Sequence, residues 1–158
     1  MAKDSAQIVE ELDDLGRASG GLVVFTTIAA SGQPHSSVVN AGVLPHPVTK
    51  EPVVALVVIG GARKLLHLEH DPRAVAVFRD GPRWTAVEGD TVLIGPDHPH
   101  PDVPADAVPA LLRAIYSAAG GGEHPDWDEY DRTMAAERRV AVLMGIRRGY
   151  GVYWRKES

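Results

Sequence analysis

The sequence predicts a mainly β, α+β fold: a six-stranded antiparallel β-barrel with helices at its periphery. Three observations carry that expectation. Short apolar runs rich in Val, Ile and Thr recur along the chain, each bounded by Gly, Pro, Asn or Asp. Only one short helical stretch falls between the first strands, too few crossovers for a doubly wound parallel sheet. The remaining helical periodicity is gathered at the N-terminus and in one block ahead of the last strand, as expected for antiparallel strands that close on themselves with helices outside.

In chain order, Ile8, Val9, Leu12 and Leu15 recur at helical spacing from Asp4 to Arg17, and Ser19-Gly20-Gly21 ends the pattern. Leu22 to Ala30 is a strand. Ser31-Gly32-Gln33-Pro34 has the chemistry of a tight turn, and His35 to Leu44 returns as the second arm of a hairpin. Pro45, Pro47 and Pro52 stiffen the link to an apolar strand from Val53 to Ile59. Gly60-Gly61 breaks that strand, Leu65, Leu66 and Leu68 mark one side of a short helix, and Asp71-Pro72 stops it. Ala74 to Arg79 and Arg83 to Ile94 follow as strands, with Gly89 in the second signalling a bulge or a close backbone approach. A loop from Gly95 to Pro104 leads to helices over Ala105 to Ala118 and Asp126 to Arg138. The chain finishes on a strand from Val140 to Trp154, interrupted around Gly145 to Gly151.

At 158 residues, 44% hydrophobic and 23% charged, the chain has the composition of a globular protein. One domain over residues 1–158 is expected, with 1–20 as an N-terminal helix and 105–138 as a helical insertion before the last strand. The net charge of −5 and the absence of a basic stripe argue against a nucleic-acid partner. No cysteine is present, which removes disulfides, thiolate nucleophiles and cysteine-ligated metals. Met1 to Gly16 is charged and lacks the apolar core of a secretion signal, and no apolar run approaches membrane-spanning length. A cytoplasmic protein without a membrane partner is expected.

Three clusters could carry chemistry. The first is the turn from strand to helix, where Arg63 and Lys64 occupy the first helical turn. Free backbone N–H groups and the helix dipole favour an anion there, so a basic pair fits a phosphate or carboxylate site. It equally fits two solvated side chains beside the acidic Glu69 and Asp71. The second is the run of polar residues Gln33, His35, Ser36, Ser37 and Asn40 in the hairpin, either ligand contacts or outward-facing strand positions. The third is Asp97-His98-Pro99-His100-Pro101-Asp102. Its alternating prolines give an extended segment rather than a metal cage, and the basic residues around His67 and His70 disfavour a cation at that pair as well. No Gly-x-x-x-x-Gly-Lys-[Ser/Thr], Gly-x-Gly-x-x-Gly or Gly-x-Ser-x-Gly motif occurs.

The series Leu22 to Thr27, Gly32-Gln33-Pro34, Arg63-Lys64, Leu68, Asp71-Pro72-Arg73-Ala74 and Val87-Glu88-Gly89 resembles the pyridoxamine 5′-phosphate oxidase-like (PNPOx-like) family of flavin and deazaflavin proteins, whose fold is an FMN-binding split β-barrel. The later segment, Glu123-His124-Pro125-Asp126-Trp127-Asp128-Glu129-Tyr130 with Arg138-Arg139-Val140 and Tyr150-Gly151-Val152, is similar to the actinobacterial-type branch that uses coenzyme F420, an 8-hydroxy-5-deazaflavin. The chain departs from that branch at Ala62, where an Arg is usual two positions before the Lys, at Val38 in place of Asn, and at Gly60-Gly61.

The resemblance implies a homodimer with cofactor grooves between subunits, and hydride transfer to a small conjugated substrate. It places Lys64 at the cofactor phosphate, with Arg63, Gly61 and Ala62 around it. His35, Ser37 and Asn40 would line the ring and side-chain region, and Trp84 would supply an apolar wall. FMN is the alternative cofactor, and a non-catalytic deazaflavin or flavin carrier the alternative role. No general acid stands out; His35 is a candidate because an unperturbed imidazole titrates near neutrality.

Overall fold

The computed structural model describes residues 3–157. Helix α1 (Ser5–Ser19) starts where Asp4 accepts a hydrogen bond from the Gln7 amide at 2.8 Å, and ends on Gly20, whose φ of 66° favours glycine. Its buried Ile8, Leu12 and Leu15 pack on strands β1 (Leu22–Ile28) and β5 (Arg73–Asp80) among others. Strand β2 (Pro34–Asn40) pairs antiparallel with β1, and β3 (Gly42–Pro45) with β4 (Pro52–Val58). Helix α2 (Arg63–His70) follows β4; β6 (Arg83–Ile94) follows β5. A short 3-10 turn, α3 (Val108–Tyr116), a π-helical turn (Ser117–Gly121) and α4 (Trp127–Ala136) precede β7 (Val140–Gly145) and β8 (Arg148–Val152).

The sheet overturns the closed six-stranded barrel. Eight strands run in the order β2-β1-β5-β6-β7-β4-β3, with β8 on the first half of β6. The end strands β2 and β3 follow one another in the chain but share no ladder, so the sheet stays open. Two breaks account for the change in strand number. The expected arm His35 to Leu44 divides at the buried Ala41, because Gly42 lies under the π-helical turn: a Cβ there would meet the Ala118 carbonyl oxygen at 2.1 Å. The last strand divides after Gly145, whose carbonyl oxygen would lie 1.6 Å from a Cβ on Gly89. The close backbone approach read from Gly89 is therefore present, and it is where β7 leaves the sheet.

Apolar residues fill both faces of β4 and β7. Val54, Leu56, Val58, Val140, Val142 and Met144 belong to the core under α1, while Val53, Ala55, Ala141 and Leu143 face Leu112, Ile115 and Tyr130 of α3 and α4. Double-sided burial explains the unbroken hydrophobicity of both segments. No helix among the described residues is long and apolar enough to cross a membrane.

Candidate functional site

Helix α2 begins on Ala62, which offers no side-chain cap; the Leu65 amide donates to the Ala62 carbonyl at 3.0 Å, which leaves the Arg63 and Lys64 amides available. Lys64 is half-buried and Arg63 exposed. Burial pushes the Lys64 ammonium below the usual lysine value. The acids that could have neutralised this pair are engaged elsewhere: Asp71 holds Arg73 at 2.7 Å and Glu69 holds His98 at 2.7 Å. The Arg73 guanidinium lowers the Asp71 pKa to about 2. Among the described residues neither Arg63 nor Lys64 makes an ion pair.

The α2 helix turns His67 inward rather than toward His70. His67 Nδ1 and Thr27 Oγ1 share a buried hydrogen bond of 2.8 Å, and the His35 ring stands edge-on to His67 at 5.1 Å. Burial, then His35 and Arg63, hold the His67 pKa below its ordinary value. The strand register explains the meeting, since Thr27 pairs with His35 and cross-strand partners share a face. Ser37 and Val39 continue that face alongside Phe25 and Val23.

At the Val39 end of β2 a groove of about 780 Å³ opens, within the size range of small-molecule sites. Val39, Asn40 and Val57 line one side; Tyr116, His124, Tyr130 and Arg139 line the other. The aromatic wall is interlocked: Tyr116 meets His124 at 5.2 Å and Trp127 at 5.7 Å, and His124 meets Tyr130 at 5.3 Å. The Tyr130 hydroxyl donates to the Leu112 carbonyl at 2.9 Å, and burial raises its pKa to about 12.

The residues singled out in the sequence fall into two groups. Gly61, Ala62, Arg63 and Lys64 form the entry to α2; His35 meets that helix one turn further in, at His67, and Ser37 lies two positions along the same face of β2. Asn40 and Trp84 do not join them. Asn40 lies five positions from His35 along β2, about 16 Å, and its amide donates to the Gly20 and Ala119 carbonyls at 3.4 and 3.5 Å. Trp84 pairs with Arg79 and Val152 and stands edge-on to Tyr150 at 6.2 Å, at the same far end of the sheet. In the histidine-rich loop, Asp97 is bound to Arg138 at 2.5 Å, and His100 Nδ1 accepts from the Asp102 amide.

Sequence reasoning assigned no site role to Tyr116, His124, Tyr130 or Arg139. Their signal was present: Glu123 to Tyr130 stands out as a motif, but only the folded chain sets it against β2 and β4.

No family model matches the chain. Solved structures do. A conserved hypothetical protein from Mycobacterium tuberculosis is 18% identical with a TM-score of 0.69, covering 100% of this chain and 92% of that one. The chain shares its fold with PNPOx-like proteins. An FMN-binding, pyridoxamine 5′-phosphate oxidase-related protein from Nostoc punctiforme aligns at 16% identity and TM-score 0.55, over 84% of this chain and 76% of that one. An F420 reductase aligns at 12% identity and TM-score 0.59, over 89% and 94%. Heme-binding proteins also share the fold. At these identities the likeness is one of fold.

Proposed function

We propose that the chain is an oxidoreductase that anchors coenzyme F420 by its phosphate at the start of α2 and passes hydride to a small conjugated acceptor. The observation that carries this reading is the Arg63-Lys64 pair: two cations without acidic partners among the described residues, one of them partly withdrawn from water, at a helix start that already favours an anion. An unneutralised, half-buried ammonium fits a phosphate, since an anionic ligand offsets its desolvation. When bound, the deazaflavin supplies the hydride.

The chain's own residues bind and orient. Lys64 donates to the phosphate, and exposed Arg63 lies nearer the acidic tail. Ser37 offers a hydroxyl on the β2 face between α2 and the groove. The His67–Thr27 hydrogen bond fixes the floor beneath His35, which keeps that ring at the rim.

A homodimer completes the proposal. On the outer face of the sheet Val38, Val24, Val77, Ala86 and Tyr150 stand in one row across five strands, beside Leu22 and Val152. Val38 is 67% exposed and Val152 54%. A face this apolar is stabilised by a second copy burying more than about 1,000 Å². Trp84 lies on the same face, so it would serve the neighbouring site rather than its own α2.

Titration of the purified protein with F420 and with FMN, followed by turnover of reduced F420 monitored through the deazaflavin's visible absorbance, tests the reading. Tight F420 binding with acceptor-dependent reoxidation is expected. Tight FMN binding without F420 turnover would replace the cofactor, and binding without any turnover would make the protein a carrier.

A further inference from the structure

The aromatic end of the groove carries a hydrogen-bond donor of fixed direction. The Asp126 backbone N–H donates to His124 Nδ1 at 2.9 Å. An amide can only donate, so Nδ1 must accept, and the neutral ring carries its hydrogen on Nε2. Among the described residues no group accepts that hydrogen. The ring itself is held by Tyr116, Trp127 and Tyr130, each within 5.5 Å of it between centroids. Trp127 is fixed in turn by its Nε1 hydrogen bond to Glu123 and by the Arg113 guanidinium stacked on its face at 5.2 Å. The groove's other N–H donors are turned to the protein, Asn40 to the Gly20 and Ala119 carbonyls and Arg139 to Glu137, so flat rings beside the oriented His124 N–H match a planar aromatic ligand bearing an acceptor oxygen.

We propose that this end of the groove seats a planar aromatic carbonyl compound, its oxygen on His124 Nε2–H. That such a compound is the hydride acceptor rests on the function proposed above; that it binds here does not. If the reduced deazaflavin were bound, it would supply the hydride for a new C–H bond of the conjugated system, and the displaced π pair would move onto the carbonyl oxygen. The Nε2–H donor stabilises that developing oxyanion, and a proton from water completes the neutral product. Neither Arg63 nor Lys64 lines this groove.

The test uses the cofactor-free protein, with acetylnaphthalene as probe and ethylnaphthalene as its carbonyl-free control, read by quenching of Trp127 fluorescence. Saturable quenching by both is expected, with the ketone bound about three- to tenfold more tightly, the range for one neutral hydrogen bond. His124→Phe keeps the ring contacts and should equalise the two compounds. His124→Asn, which retains an N–H donor, should restore part of the preference, and Tyr116→Phe should leave it in place. Trp127→Phe should abolish the signal. Quenching that survives Trp127→Phe, a ketone preference that survives His124→Phe, quenching that never saturates, or displacement of the probe by saturating F420 would each overturn the assignment. Failure of F420 to bind would remove the proposed function while leaving these probe measurements to decide the site.

Discussion

Arg83 and Lys64 are both cations withdrawn from water, and the chain surrounds them in opposite ways. Arg83 is 1% exposed and both its terminal nitrogens are engaged: one donates to Asp14 and the Trp154 carbonyl, both at 2.9 Å, and the other to Asp80 at 2.8 Å, while Nε has no partner among the described residues. Its guanidinium also stacks on Tyr153. These contacts join α1, the β5–β6 turn and the C-terminal segment, and the carboxylates raise its pKa further, Asp80 first. Lys64 has no such company, and burial shifts its pKa downward. A cation that the protein neutralises itself holds the fold together. One left without an anion destabilises the free protein slightly and gains when a ligand supplies the missing charge.

The largest effect expected from this contrast is on stability. Arg83→Met should lower the urea midpoint sharply, because it removes the buried cation that ties Asp14, Asp80 and the Trp154 carbonyl together, leaving Asp14 only the Tyr153 hydroxyl and Asp80 only Lys156. Lys64→Ala should change the unfolding free energy by no more than about 0.5 kcal/mol, the usual limit for a site with no partner to lose. Equal losses in the two variants would erase the distinction. On affinity the order reverses. Lys64→Ala should weaken F420 about ten- to a hundredfold, the equivalent of about 1.5–3 kcal/mol for a charged hydrogen bond.

Arg63→Ala should cost less, a few-fold at low salt and nearly nothing at high salt, since an exposed charge acts through screened solvent. Adjacent helical residues do not face the same way, so comparable losses at both positions would mean that the turn presents them together.

The smallest effect is a pH slope. The His67 pKa lies below its ordinary value of about 6.5, so the unfolded chain binds this proton more readily than the folded one. Stability is therefore complete above the unfolded pKa and is lost as pH falls from there toward the folded value. Urea midpoints measured on either side of this window should show a loss on acidification that His67→Gln reduces. An unchanged slope would place the titrating group elsewhere.

Much of the fold was legible because local signals were strong. Asp4 and Gly20 marked both ends of α1, and the double-sided apolar runs of β4 and β7 could only be buried strands. The closed barrel was not a safe inference, because it depended on contacts distant in sequence. Gly42 reads as an ordinary strand residue until Ala118 is seen pressing on it, and that contact helps break the hairpin arm into β2 and β3. The site divides in the same way. Arg63 and Lys64 announced themselves through charge at a helix start. Whether Glu69 and Asp71 neutralise them could not be read locally, since Glu69 is taken by His98, 29 residues away. Trp84 was assigned by likeness, and Asn40 both by likeness and by its place in the polar hairpin run; the register sets both toward the Val39 end of the sheet, where Asn40 lines the groove.

The most direct test of the account is the affinity of two ligands that differ only in phosphate: the deazaflavin ribityl alcohol, and its phosphate monoester without the acidic tail. Both would be titrated into the wild-type protein and into folded Lys64→Ala. The account predicts that the wild type prefers the phosphorylated ligand about ten- to a hundredfold and that Lys64→Ala removes most of that preference while binding the alcohol as before. Equal affinities in the wild type, or a preference that Lys64→Ala leaves intact, would show that the start of α2 does not hold the phosphate.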